Sequence, residues 1–275
     1  MAELSDALTM VGETHAGMER EHNEDAIWLD AGIGLAILAD GMGGYNAGEV
    51  ASSMAVACMS TDIRLKLDNA NEAKRVALGT LGYYQQALLR DATLYANQEI
   101  LETAQRQPEC AGMGTTLVAA LFHDNFVSVA HVGDARLYRY RHGLLEPLTR
   151  DHSLLQDQLD SGLITPEAAR HVPYRNLVTR AVGVSEELEV EISGFPVEPD
   201  DLYLLCSDGL NDMLTDEEIG QVIHRCGTDL GLMADWLIQA ANDAGGKDNV
   251  SVILIRVEDD FKERQGPLDW LMPWR

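Results

Sequence analysis

Short apolar runs of strand length, each meeting an acidic residue and most of those acids close to glycine, constrain this chain more than any other feature. Gly34–Asp40 (GLAILAD) ends in an acid followed by Gly41-Met42-Gly43-Gly44. Asp134 follows the run Phe126–His131, within Gly133-Asp134-Ala135-Arg136, and Asp208 follows Leu202–Cys206, within Ser207-Asp208-Gly209. Asp248 precedes Val250–Val257, within Gly246-Lys247-Asp248-Asn249, and the pair Glu24-Asp25 precedes Ala26–Leu29. Taken singly, each reads as an ordinary turn, because Asp and Gly both favour turns; Ser207-Asp208-Gly209 also reads as a helix cap. Taken together, acids at the ends of buried strands can be held in one rigid constellation. Their mutual repulsion is then costly unless cations neutralise it. Oxygen donors without Cys or His select Mg2+ or Mn2+ over Zn2+, and glycine lets backbone approach such an ion closely.

The rest of the pattern supplies a fold class. Thr115–Phe122 and Phe126–His131 flank His123-Asp124-Asn125, which reads as a hairpin turn, and Leu137–Arg141 is followed by Gly143, which can close the next one. Helical periodicity spans Ala47–Leu67 and Asn71 to about Gln107, the second either one long helix or two broken near Gly79-Thr80-Leu81-Gly82. Thr215 with Glu218 forms a capping box that opens a helix to about Arg225, and Asp229 can cap another to about Asp243. The order predicts an α/β (α+β) fold, with antiparallel sheets packed together, helices outside, and no repeated βαβ units.

Charge and cysteines remove several function classes. Lys+Arg 20 against Asp+Glu 45 gives a net charge of −25, with no basic cluster, so nucleic acid and anionic membrane surfaces are excluded as partners. Runs such as Val250–Ile255 are too short to span a bilayer, and Met1-Ala2-Glu3-Leu4-Ser5-Asp6 carries no secretory signal. Cys58, Cys110, Cys206 and Cys226 lack C-x-x-C spacing and read as reduced thiols, so a cytoplasmic protein is expected. Rossmann, Walker A, H-E-x-x-H and G-x-S-x-G signatures are missing from the sequence.

The acidic motifs also occur in a known order. Arg20-Glu21-His22-Asn23-Glu24-Asp25 resembles the R-x-x-x-E-D opening motif of the metal-dependent protein phosphatases, the protein phosphatase 2C family. Asp40-Gly41-Met42-Gly43-Gly44, Gly112-Met113-Gly114-Thr115-Thr116, Val132-Gly133-Asp134-Ala135-Arg136, Ser207-Asp208-Gly209-Leu210 and Asp248-Asn249 are similar to its later motifs. Thr149-Arg150-Asp151-His152-Ser153 and Asn176–Gly183 also resemble family segments, so the likeness covers roughly residues 9–257.

The resemblance implies a central antiparallel β-sandwich flanked by helix pairs on both faces (α-β-β-α). It implies that Asp40 bridges two Mn2+ or Mg2+ ions, that Asp208 and Asp248 bind the first, and that Glu24 and the Gly41 carbonyl serve the second. Asp25 would hold a metal-bound water, Asp134 with Asp208 would match a third, weaker ion, and Arg20 would grip the substrate phosphate. A metal-bridging hydroxide would attack phosphoserine or phosphothreonine in phosphorylated proteins, opposite a bacterial Ser/Thr kinase. A phosphatase of small phosphate esters and a phosphoprotein-binding pseudophosphatase are the alternatives.

Met42 stands where many eukaryotic relatives have a histidine proposed as general acid, and Ala135 replaces the usual Ser. A water is therefore expected to protonate the leaving group, and Ala135 is expected to matter little. His131 and His152 read as structural. A single phosphatase domain over 1–258 is expected, with a flap at about 151–180, acting as a monomer. The tail 259–275, with Phe261, Trp270 and Trp274, is expected either to pack back on the domain or to dock on a partner.

Overall fold

The computed structural model describes residues 4–44, 47–69, 83–169, 172 and 177–262. Among the described residues, eleven strands form two antiparallel sheets. One contains β1 (Leu8–His15), β7 (Arg136–Arg141), β8 (Leu144–Pro147), β10 (Leu202–Cys206) and β11 (Val250–Val257), in the order β1-β11-β10-β7-β8. The other contains β2 (Asp25–Asp30), β3 (Leu35–Met42), β5 (Leu117–His123), β6 (Phe126–Val132) and β9 (Glu191–Pro196), in the order β2-β3-β5-β6-β9, with β4 (Gly114–Thr115) added against β3. The helices are α1 (Leu4–Ala7), α2 (Ala47–Asp68), α3 (Tyr83–Arg106), α4 (Leu154–Asp160), α5 (Pro166–Ala169), α6 (Asp208–Asn211), α7 (Asp216–Cys226) and α8 (Leu230–Asp243).

The apolar runs are continuous because the central strands are covered on both faces. Along β3, Ala36 and Leu38 enter the core between the sheets while Leu35, Ile37 and Ala39 pack with α2 and α3. Along β11, Ile253 and Ile255 face the inter-sheet core, and Val250, Val252 and Leu254 pack with α7 and α8. The alternation produces three apolar layers, and with them the α-β-β-α arrangement.

Local chemistry closes the turns. Asp124 and Asn125 adopt φ 53° and 55° in the β5–β6 hairpin, and His142 and Gly143 adopt φ 52° and 82° in the β7–β8 hairpin, the left-handed pair that a two-residue turn requires. The Thr215–Glu218 capping box opens α7, and Asp229 accepts from the Leu232 N–H at the start of α8. Described helix in the 71–107 stretch covers Tyr83–Arg106; the expected break near Gly79–Gly82 lies outside the described residues.

Register places the acids at one end of the sandwich. Asp25 lies opposite Asp40 in the β2–β3 pair. Cys206, two residues before Asp208, lies opposite both Val252 and Arg136, so the end of β10, the start of β11 and the start of β7 coincide. At the two ends of the segment expected as a flap, Ser153 pairs with Val178 and the Thr179 N–H donates to the His152 carbonyl at 2.8 Å. In the tail, Phe261 is buried in the inter-sheet core; Trp270 and Trp274 lie outside the described residues.

Candidate metal centre

Asp25 is clamped on one side and open on the other. Ser207 Oγ and Ser251 Oγ donate to its Oδ2 at 2.7 and 2.6 Å, while Oδ1 is buried without a hydrogen-bond partner. Burial pushes the Asp25 carboxyl up to about 6, against the two serine hydroxyls and with help from the charge of Asp248. Asp40 rises well above the carboxylate range through burial, then through the charges of Asp25, Asp208, Asp134 and Asp248. Asp208 rises for the same reason, with Asp134 and Asp212 its strongest repelling neighbours. Burial and Asp151 push Asp134 up to about 7. All these shifts share two causes, partial removal from water and the crowding of negative charge.

Glu24 sits where three segments meet. Its carboxylate accepts from the backbone of Gly48 and Glu49 at the start of α2, and burial outweighs these bonds and the nearby Arg20 charge to raise its pKa. The approach needs glycine. A Cβ on Gly48 would lie 2.6 Å from Glu24 Oε1, and one on Gly41 would lie 2.2 Å from the Gly48 carbonyl oxygen. Arg20, half exposed at the rim, donates from Nη2 to Asp248 Oδ2 at 2.6 Å.

The eight residues singled out in the sequence therefore gather at one place. The sequence reading missed the framework holding them. Asn249 Oδ1 accepts from the Glu24 N–H at 2.8 Å, and its Nδ2 donates to the carbonyls of Ala16 (3.0 Å) and His22 (2.8 Å). Lys247-Asp248-Asn249 looks like a hairpin tip, which hid this role. Asn249→Ala would remove the partner of three backbone groups in a partly buried position. It is expected to cost about 2–4 kcal/mol of stability, measured by urea unfolding.

A model of the family described as Protein phosphatase 2C matches residues 11–242. This chain belongs to the protein phosphatase 2C family. It is similar to the serine/threonine phosphatase Stp of Listeria monocytogenes, 38% identical over 258 residues that cover 91% of this chain and 96% of that protein. The crystal structure of the Mycobacterium tuberculosis serine/threonine phosphatase PstP superposes with a TM-score of 0.82 at 36% identity, covering 92% of this chain and 100% of that one. The whole M. tuberculosis PstP protein is longer, and this chain matches 48% of it. A structure of the PstP catalytic domain in complex with two manganese ions has a TM-score of 0.79 at 35% identity, covering 92% and 99% of the two chains.

The donor set fits the divalent ions of a phosphatase 2C. The buried Asp25 Oδ1 lacks a partner, the crowded carboxylates raise one another, and the glycine contacts bring backbone close around them. Carboxylate and carbonyl oxygens suit Mn2+ or Mg2+. Beside the acids, a cleft of about 200 Å³ runs from Asp134 and Asp208 to Leu155, Gln156 and Leu159 of α4. Ala135, the family departure from Ser, is fully buried in the inter-sheet core, where a methyl group packs without needing a hydrogen-bond partner.

Proposed function

We propose that this chain is a metal-dependent serine/threonine protein phosphatase that releases phosphate from phosphoserine and phosphothreonine by direct hydrolysis. The observation that carries this reading is the cluster of mutually repelling carboxylates, buried at Asp25 and Asp134 and half-buried at Asp40 and Asp208, with Arg20 at its rim. The names of the Listeria and mycobacterial relatives support the substrate class.

In this reading Glu24, Asp40, the Gly41 carbonyl, Asp208 and Asp248 hold two Mn2+ or Mg2+ ions, and Asp134 with Asp208 holds a third, weaker one. Ions bound there would lower the pKa of water and offset charge on the phosphate oxygens. Arg20 presents a planar fork suited to two phosphate oxygens. Asp25, held through Oδ2 by the two serines, offers Oδ1 to orient a water. Cys206, beside the site, is no nucleophile: it is fully buried, and burial pushes its thiol up to about 12. Water therefore attacks phosphorus in line, without a covalent phosphoenzyme. Met42 has no proton to give, so the leaving alkoxide takes one from water.

The same reading places the protein in the cytoplasm, as a monomer acting opposite a Ser/Thr kinase. The four free cysteines support a reducing compartment. Among the described residues no helix is long and apolar enough to cross a membrane.

The test compares a phosphothreonine peptide with p-nitrophenyl phosphate in saturating Mn2+. The peptide is expected to show a kcat/KM at least about tenfold higher. Faster hydrolysis of the small ester would favour a small-ester phosphatase, and peptide binding without turnover a pseudophosphatase. Arg20→Ala is expected to raise KM for the peptide about tenfold, with a smaller change in Mn2+ affinity. An unchanged KM would remove Arg20 from the phosphate site.

A further inference from the structure

His152 lies at the base of the flap and is 8% exposed. Its backbone N–H donates to the Gly133 carbonyl at 2.7 Å, and the Gly133 N–H donates back to His152 Nδ1 at 3.2 Å. On the other side of the ring, Nε2 faces Glu191 Oε2 at 3.0 Å and the Arg180 guanidinium at 3.4 Å. The His131 ring packs against it with centroids 4.6 Å apart. Gly133 has φ +103°, a Cβ there would meet the Thr116 side chain at 2.6 Å, and the next residue is Asp134.

Ligand atoms of His131, His152 and Glu191 lie within 4.8 Å of one another, and both ring nitrogens of buried His131 lack a hydrogen-bond partner, an arrangement that invites a transition-metal reading. Hydrogen-bond polarity opposes it. Because Gly133 donates to Nδ1, that nitrogen carries the lone pair. The ring proton is then on Nε2 and is donated to Glu191 Oε2 at 3.0 Å; the Arg180 guanidinium, 3.4 Å away, is a neighbour of that nitrogen and not its donor. A metal at Nε2 would force the proton onto Nδ1, against another N–H, and would sit beside the positive charge of Arg180. His131, whose pKa burial drives down to about 3, stays neutral and serves as a flat packing surface.

We propose that His152 is the positioning residue of the Asp134 carboxylate. Its imidazole, set in one tautomer by Glu191, accepts from the Gly133 N–H and fixes the glycine turn that aims Asp134 at the cluster. The His152 carbonyl also accepts from Thr179, so the flap base and the Asp134 turn share one anchor. The proposal rests on Asp134 serving the metal cluster.

The test uses two variants and two readouts. His152→Phe keeps a ring and removes the acceptor, whereas His152→Asn returns an amide oxygen near the Nδ1 position. Amide hydrogen exchange at Gly133 in metal-free protein, followed by NMR, is expected to accelerate about tenfold in His152→Phe. The weakest Mn2+-binding event in calorimetry is expected to weaken about tenfold or more, with the tighter events unchanged. His152→Asn is expected to restore both to within about threefold. Should the Phe variant not fold, His152→Gln, whose amide reaches the Nε2 position instead, takes its place.

Unchanged Gly133 exchange, or equal impairment in the Phe and Asn variants, would overturn the proposal. Faster exchange with an unaltered Mn2+ isotherm would refute the link to Asp134 and leave the phosphatase reading standing. Stoichiometric Zn2+ binding lost in both His131→Phe and His152→Phe would replace the proposal with a metal site.

Discussion

Asp40→Asn is expected to lower kcat/KM for a phosphothreonine peptide by on the order of 10³-fold and, in the same protein, to raise the melting temperature measured in EDTA. The two effects share a cause. Asp40 is half-buried near the end of β3, where Asp25, Asp208, Asp134 and Asp248 repel it. Asn has nearly the same shape and no charge, so it relieves that repulsion. The turn persists because Thr115 Oγ1 and the Thr116 N–H bond the backbone carbonyl of Asp40 rather than its side chain. Relief worth about 1–2 kcal/mol corresponds to a gain of about 2–8 °C for a chain of this size. Saturating Mn2+ is expected to reverse the order. An ion at 100 times its Kd stabilises a native state by about 2.7 kcal/mol, and the variant loses most of that gain. Calorimetric scans with EDTA and with Mn2+ measure both signs. A variant that melts below wild type in EDTA would contradict the repulsion account, and near-normal turnover would take Asp40 out of the reaction.

How far such a site can be seen beforehand depends on whether its information is local. β3, β10 and β11 are buried on both faces, so they appear in the sequence as unbroken apolar runs, and an acid at such a strand end has a fixed position. β1, β8 and β9 are half exposed, with side chains such as Thr9, Glu146 and Glu191 breaking any apolar run; they went unseen because an edge strand is defined by its partner. α7 was legible because a capping box is written in four consecutive residues. Asn249 and His152 were not. Asn249 acts on backbone 225 to 233 residues away, and His152 acts on a glycine 19 residues away across the flap base. Their chemistry is ordinary and becomes specific only when the fold supplies the opposite partner.

The same crowding that hides nothing in the sequence should govern how the metal-free protein responds to pH: it is expected to melt about 10 °C higher at pH 5 than at pH 7.5 in EDTA. Asp25 and Asp134 have folded-state values of about 6 and about 7, and Asp40 and Asp208 are also raised. A carboxyl with a raised folded pKa binds its proton more tightly when folded. Its stabilising contribution is complete below the unfolded value near 4 and is lost as pH rises through the folded value. His131 opposes this: its folded value is depressed to about 3, so it costs stability as pH falls below about 6.5. Five raised carboxyls, Glu24 among them, against one histidine leave the net loss between about pH 4 and 7, on the order of several kcal/mol. Mn2+ replaces the protons, so its affinity is expected to rise across the same window, and binding is expected to release protons into the buffer. Calorimetry in buffers of differing ionisation enthalpy counts them. A melting temperature in EDTA that is flat or climbs from pH 5 to 7.5, together with Mn2+ binding that releases no proton, would mean that these carboxylates are already solvated and charged, and do not form the crowded pocket on which both expectations depend.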